Sequence, residues 1–192
     1  MEKRISTRTL TGLALFTAIV VVLQLLGGFI HFGPFSISLT LVPIVVGAAL
    51  YGWQAGAWLG FVFSFVVLLN DSAAFLTVNA PATILVVLVK GIAAGACAGL
   101  VYRALAEKNE WLAVICAAIV CPVVNTGIFI LGCELFFMPT ISGWAEAAGF
   151  PSAGNFLIYG MIGVNFLLEL AINVILSPVI LRLIKIGKKE NG

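Results

Sequence analysis

Charge is scarce in this chain. Asp, Glu, Lys and Arg together make up 9% of its 192 residues, where a water-soluble domain carries roughly 25%. That shortage excludes a water-facing surface of normal size. With 62% hydrophobic residues and a mean hydropathy of +1.18, the chain's solvent must largely be lipid. Histidine occurs once, as His31, and no H-E-x-x-H, G-x-S-x-G or P-loop sequence is present, so neither hydrolytic catalysis nor use of ATP by this chain alone is indicated. Cys97, Cys116, Cys121 and Cys133 all fall in apolar stretches without C-x-x-C spacing, as small core residues do; no metal and no cofactor are expected.

The few charges present are arranged. Nine of the ten lysines and arginines fall in three clusters: Lys3, Arg4 and Arg8; Arg103 and Lys108; and Arg182, Lys185, Lys188 and Lys189. Such clusters flank the cytoplasmic ends of spans, so the net charge of +2 reflects topology and not a nucleic-acid surface. The basic start and apolar run at the N-terminus lack a small-residue cleavage site and read as a first span, not a signal peptide.

A span needs about 20 apolar residues, so the chain has room for about six. The stretch 36–70 is ambiguous: it holds either one long tilted helix or two short ones broken at Tyr51-Gly52-Trp53-Gln54. Placing both the N-terminal and the Arg103–Lys108 clusters on the cytoplasmic side requires an even number of crossings between them, and therefore two helices with a turn at Gly52. The expected architecture is an all-α membrane protein, a six-transmembrane-helix bundle with both termini cytoplasmic. Its spans are 9–30, 36–51, 54–70, 81–102, 111–137 and 156–184, forming a single domain over 1–192. The connections 27–35, 70–80 and 138–155 then face outward, and the last is apolar enough to pack over the bundle.

Small residues recur every four positions at Gly91, Gly95 and Gly99, and at Gly56, Gly60 and Ser64, which predicts close backbone packing within the bundle. Ala14 and Ala18 form an A-x-x-x-A pair whose spacing fits either internal packing or a groove for a partner helix.

An ionisable group near mid-bilayer costs at least about 2.5–3.5 kcal/mol on insertion scales, so it is a functional candidate by default. Lys90 and Glu169 qualify, at similar depths of roughly 15 and 18–20 Å from the outer ends of their helices at 1.5 Å per residue. They pair as a structural ion pair or as parts of a site. Asn165, Glu169 and Asn173 form one polar stripe at i, i+4, i+8, which must face the bundle or a wet cavity. Asn125 lies where it can meet that stripe. Lys90, Asn125, Asn165 and Glu169, with Asn79 and His31 from the outer connections, are the candidate substrate-binding residues, although His31 also fits an ordinary loop position. The set suits a small polar molecule carrying hydroxyls, an amide or a carboxylate.

These features converge on a family. Ala14-Leu15-Phe16-Thr17-Ala18, the turn Gly47-Ala48-Ala49-Leu50-Tyr51-Gly52-Trp53-Gln54-Ala55-Gly56 and Lys90-Gly91-Ile92-Ala93-Ala94-Gly95 resemble segments of the substrate-binding S components of energy-coupling factor (ECF) transporters, the vitamin importers of prokaryotes. Trp53 departs from the pattern, which commonly has proline there. The resemblance implies a protein of the prokaryotic plasma membrane that is not an enzyme. It would bind a vitamin from outside under a lid of outer loops, dock through Ala14 and Ala18 on a transmembrane coupling subunit carrying two ATPases, and topple to deliver the vitamin. Residues 36–64 are most similar to pantothenate-type members, with Lys90 available for a carboxylate. Riboflavin, pyridoxine-like and pyrimidine substrates stay open. So do a free-standing proton-coupled secondary transporter using Glu169, although no inverted repeat is apparent, and a non-transporting membrane scaffold.

Overall fold

A bilayer offers backbone groups no water, so long apolar runs must close their hydrogen bonds within themselves as helices. The computed structural model describes residues 7–27, 31–32, 35–36 and 39–191 and is built this way. The helices are α1 (Thr7–Gly27), α2 (Leu41–Tyr51), α3 (Trp53–Asn70), α4 (Ala73–Ala106), α5 (Glu110–Phe136), α6 (Met138–Ala147), α7 (Ala153–Asn155), α8 (Gly163–Ile175) and α9 (Ser177–Asn191), with a π-helical stretch, Phe156–Ile162, between α7 and α8. Five segments are long and apolar enough to cross a membrane: Thr7–Gly27, Trp53–Asn70, Ala73–Ala106, Glu110–Phe136 and Ala153–Ile175. The eleven residues of α2 give about 16 Å at 1.5 Å per residue, half a hydrocarbon core. Between α1 and α2 lies a minimal antiparallel hairpin, β1 (His31–Phe32) and β2 (Phe35–Ser36), pairing His31 with Ser36 and Phe32 with Phe35; the first connection was expected to be a plain loop.

The break at Gly52 is present. Its backbone sits at φ +94°, where a side chain is disfavoured and glycine is not, and α2 stops there as α3 begins. The glycine stripes pack as expected. A Cβ on Gly60 would strike the backbone of Gly91, one on Gly95 the backbone of Gly56, and one on Gly99 would lie 2.6 Å from Trp53 Cα. Ser64 Oγ donates to the Val87 carbonyl across the same seam at 2.7 Å. α4 thus lies backbone to backbone on α3, and packs along α5 on its other side.

Three expected boundaries move. The connection 70–80 is mostly helical: α4 begins at Ala73 and breaks at Asn79 (φ −153°, ψ 88°) before continuing through Pro81, because a proline ring cannot continue the preceding turn. The connection 138–155 contains α6, which buries Ile141 and Ala145 one turn apart against the bundle. The expected span 156–184 is not one helix. It is the π-helical stretch followed by α8 and α9, parted at Leu176 just before Ser177-Pro178.

Two apolar cores result. One centres on Val20, Leu41, Ile44, Leu59, Ala117 and Ile180. The other lies under α6 and includes Cys133, Phe137, Ile141, Leu157 and Ile162. Phe75 anchors the second, with ring centroids 5.0 Å from Phe137, 5.8 Å from Phe129 and 5.3 Å from Trp144, all edge-on.

Apart from Lys90, the described basic residues gather at one end. Arg8 shares a surface groove with Leu50, Tyr51, Leu183 and Gly187. Lys188 donates to Glu110 at 2.7 Å, beside the loop of Arg103 and Lys108. Partial burial pulls the Lys188 ammonium down, but hydrogen bonding to Glu110 and Tyr102 and the charges of both groups together outweigh this and leave it above the usual lysine value. Lys3 and Arg4 lie outside the described residues.

Candidate functional site

Between the two cores lies a cavity of about 220 Å³, enough for one small metabolite and too small for a peptide. α4 contributes Lys90, α5 contributes Asn125 and Thr126, and α8 contributes Asn165 and Glu169. Four of the six expected binding residues therefore meet on one wall system although they lie up to 79 positions apart in the chain.

Lys90 has no carboxylate within 4 Å among the described residues. Its ammonium is held by aromatic faces instead, 5.1 Å from the centroid of Phe129 and 5.9 Å from that of Phe63, distances at which a ring quadrupole attracts a cation. The expected Lys90–Glu169 ion pair is thus not formed; the two charges line the same cavity apart from each other. Glu169 is 7% exposed and Asn125 6%. Among the described residues no protein group donates to the buried amide oxygens of Asn125, Asn165 and Asn173, and buried polar atoms are ordinarily paired with protein, water or ligand. The third member of the α8 stripe does not reach the cavity. Asn173 is fully buried below it, its Nδ2 donating to the Glu169 carbonyl at 2.8 Å.

Asn79 stands apart from the cavity lining. Its extended backbone and its Oδ1, which accepts from the Ala82 amide at 3.2 Å, make it the N-cap of the second half of α4. A short polar side chain before a proline is a helix-start signal, and here that role has replaced the expected ligand contact. The backbone of His31 lies in the β1–β2 hairpin, and its side chain falls outside what the structure describes.

Other lining groups carry weaker sequence signals. At one end of the cavity, Gln24 Nε2 donates to Asp71 Oδ2 at 3.0 Å while Gln24 Oε1 accepts from Thr40 Oγ1 at 3.0 Å. This ties the end of α1 to the start of α2 and to the α3–α4 turn. Gln24 is the lone strongly polar side chain in an apolar stretch of α1, a signal of the kind that singled out Lys90. The π-helical stretch widens the turn just before Asn165 and sets Met161 and Ile162 on the cavity wall; π-bulges recur at functional sites. Ala14 and Ala18 are both exposed on the outer face of α1, so they are not used for packing inside the bundle.

A ligand-sized, charge-bearing cavity enclosed by membrane-length helices suits the capture of a small molecule. The chain belongs to the family described as ECF transporter, substrate-specific component, whose model matches residues 8–181. It is a transport subunit of the prokaryotic cell membrane, not an enzyme. It is 29% identical over 186 residues to the pantothenic acid transporter PanT of Lactococcus lactis subsp. cremoris (strain MG1363), an alignment covering 88% of this chain and 89% of that one. The solved structure of ThiT from Listeria monocytogenes shares the fold, with a TM-score of 0.62 at 21% identity over 94% of this chain and 95% of that one.

Proposed function

We propose that this protein captures pantothenate from the outer side of the membrane and hands it to an ATPase-driven coupling module. The observation that carries the substrate is Lys90: a half-buried lysine on the cavity wall whose ammonium is held by two phenyl rings, without a carboxylate partner among the described residues, in the same cavity as two amide oxygens that lack donors there. Pantothenate brings a carboxylate for the ammonium, and an amide N–H and two hydroxyls for the oxygens. The similarity to PanT supports the same choice. The chain would cross the membrane six times with both termini inside, α2 and the hairpin before it together making the short second crossing. That topology puts the basic end in the cytoplasm, as the positive-inside rule requires, and opens the Gln24–Asp71 end outward. Ala14 and Ala18 would dock the coupling subunit, which carries two ATPases.

The test is binding of pantothenate to the purified protein and to Lys90→Met. A charge-assisted hydrogen bond is worth about 1.5–3 kcal/mol, so affinity should fall roughly 10- to 100-fold. Lys90→Met also leaves Glu169 as a buried carboxyl without its balancing cation, which lowers stability unless Glu169 protonates, so affinity is compared on protein whose melting transition shows it folded. Unchanged affinity in Lys90→Met would remove Lys90 from the site.

A further inference from the structure

The cavity is lined by one half-buried cation, Lys90, and one buried carboxyl group, Glu169, that do not form a direct ion pair. The Glu169 carboxyl group has no hydrogen bond or ion pair among the described residues. The other titratable groups turned towards it are few. α5 offers the thiols of Cys121 and Cys133, and Asp71 lies at the Gln24 end. α2 and β2 bring no charged residue, and the cations of α9 begin at Arg182, at the basic end. Among the described residues, Lys90 is therefore the cation available to balance negative charge in this cavity. When a ligand carboxylate takes up that cation, an ionised Glu169 is left as an uncompensated buried charge beside a second anion. Two carboxylates sharing one site cannot both ionise without a large penalty.

The hydrogen-bonding inventory points the same way. The wall beside Glu169 includes two amide oxygens, Asn125 Oδ1 and Asn165 Oδ1, that lack donors among the described residues. An ionised carboxylate adds only more acceptors, whereas a protonated one supplies a donor. Asn165 lies one turn before Glu169 on the same face of α8.

Building on the pantothenate reading, we infer that Glu169 sets the charge class of the ligand: it is neutral beside a bound monoanion, taking up one proton from solvent as the anion enters. The step balances, since one anion and one proton arrive together and the cavity's net charge does not change. Glu169 thereby admits a carboxylate-bearing ligand at the cost of a proton, and at high pH it disfavours one.

Isothermal calorimetry of the purified wild-type protein with pantothenate decides this, run between about pH 6 and 9, where the ligand's own carboxyl (ordinary value about 4.3) stays ionised. Two buffers of different protonation enthalpy count the protons taken up. The expected result is an uptake that rises towards one proton at the alkaline end. Affinity should fall by up to about tenfold per pH unit over the same range. Glu169→Gln should take up no proton, lose the pH dependence, and bind more tightly than wild type at pH 9. Binding without proton uptake at any pH overturns the role of Glu169 and leaves the substrate reading standing. If wild-type protein binds no pantothenate at any pH, the substrate reading fails and this inference falls with it. Uptake that persists in Glu169→Gln places the proton on Lys90 and overturns the role of Glu169; if the variant does not fold, absence of uptake by the wild type alone still overturns it.

Discussion

Two phenyl rings do for Lys90 what a carboxylate does in most buried lysine sites. A desolvated cation–π contact contributes about 2 kcal/mol, comparable to the roughly 2.5–3.5 kcal/mol cost of the charge at mid-membrane on insertion scales. The ammonium is thus tolerated without being consumed by a protein partner. Asn125 and Asn165 represent the opposite case, since no protein donor among the described residues reaches their oxygens. An unsatisfied buried polar atom costs about 1–3 kcal/mol. Asn165→Leu should therefore leave the melting temperature of the empty protein unchanged or raised, while weakening pantothenate binding by roughly tenfold, the worth of one hydrogen bond of about 1.4 kcal/mol. Thermal shift and titration on the same preparation check both halves; a lowered melting temperature with intact affinity would make Asn165 a structural residue. Lys90, Asn125, Asn165 and Glu169 were legible in the sequence because a polar residue inside an apolar run has few reasons to be there. Phe63 and Phe129, which hold the ammonium, were not. An aromatic residue among apolar neighbours carries no mark of its role until the fold places a cation over it.

At the scale of elements, the seam between α3 and α4 holds the cavity's frame. Gly60 and Gly91 let two backbones touch, and a Cβ on Gly60 would stand 2.7 Å from the Gly91 carbonyl carbon, a clash that no side-chain rearrangement relieves. Gly60→Ala should destabilise the protein by about 1–3 kcal/mol, the usual cost of overpacking. Gly127 in α5 is the matched control, with open space where its Cβ would lie; Gly127→Ala should be neutral or stabilising by up to about 1 kcal/mol through helix propensity. Equal melting temperatures for the two variants would mean the seam is looser than its geometry. The four-residue spacing made this seam readable, and charge parity made the Gly52 break readable. The breaks at Asn79 and Leu176 were harder. A hydropathy profile runs through a proline without a dip, whereas the backbone does not. α6 was missed as a helix because its ten residues are too few to stand out by length, and it is stabilised by burying Ile141 and Ala145 on the bundle.

On the scale of the whole molecule, the question is which surface meets lipid and which meets protein. α1 is attached to the bundle on one side only. Trp58 Nε1 donates to Thr17 Oγ1 at 3.1 Å, and Phe16 meets Tyr51 edge-on at 6.1 Å, which together fix the rotation of the helix. Ala14 and Ala18 are then exposed among Leu10, Leu15 and Val22. Spacing alone left these alanines between inward packing and a partner groove, and their exposure removes the inward option. A small-residue pair on an outer helix face allows another helix to approach closely, which is how helices associate where lipid gives little hydrophobic drive. Ala14→Trp and Ala18→Trp place bulk where the bundle has no contact, so melting temperature and pantothenate affinity should stay at wild-type values. Assembly with the ATPase-bearing module should weaken roughly 10- to 100-fold, because overpacking a close helix contact costs about 1–3 kcal/mol, and uptake by cells should fall with it. Co-purification and uptake measured on the same two variants separate the possibilities. Intact assembly with intact uptake would move the docking surface off this face of α1, whereas lost ligand binding would show that the alanines support the bundle after all.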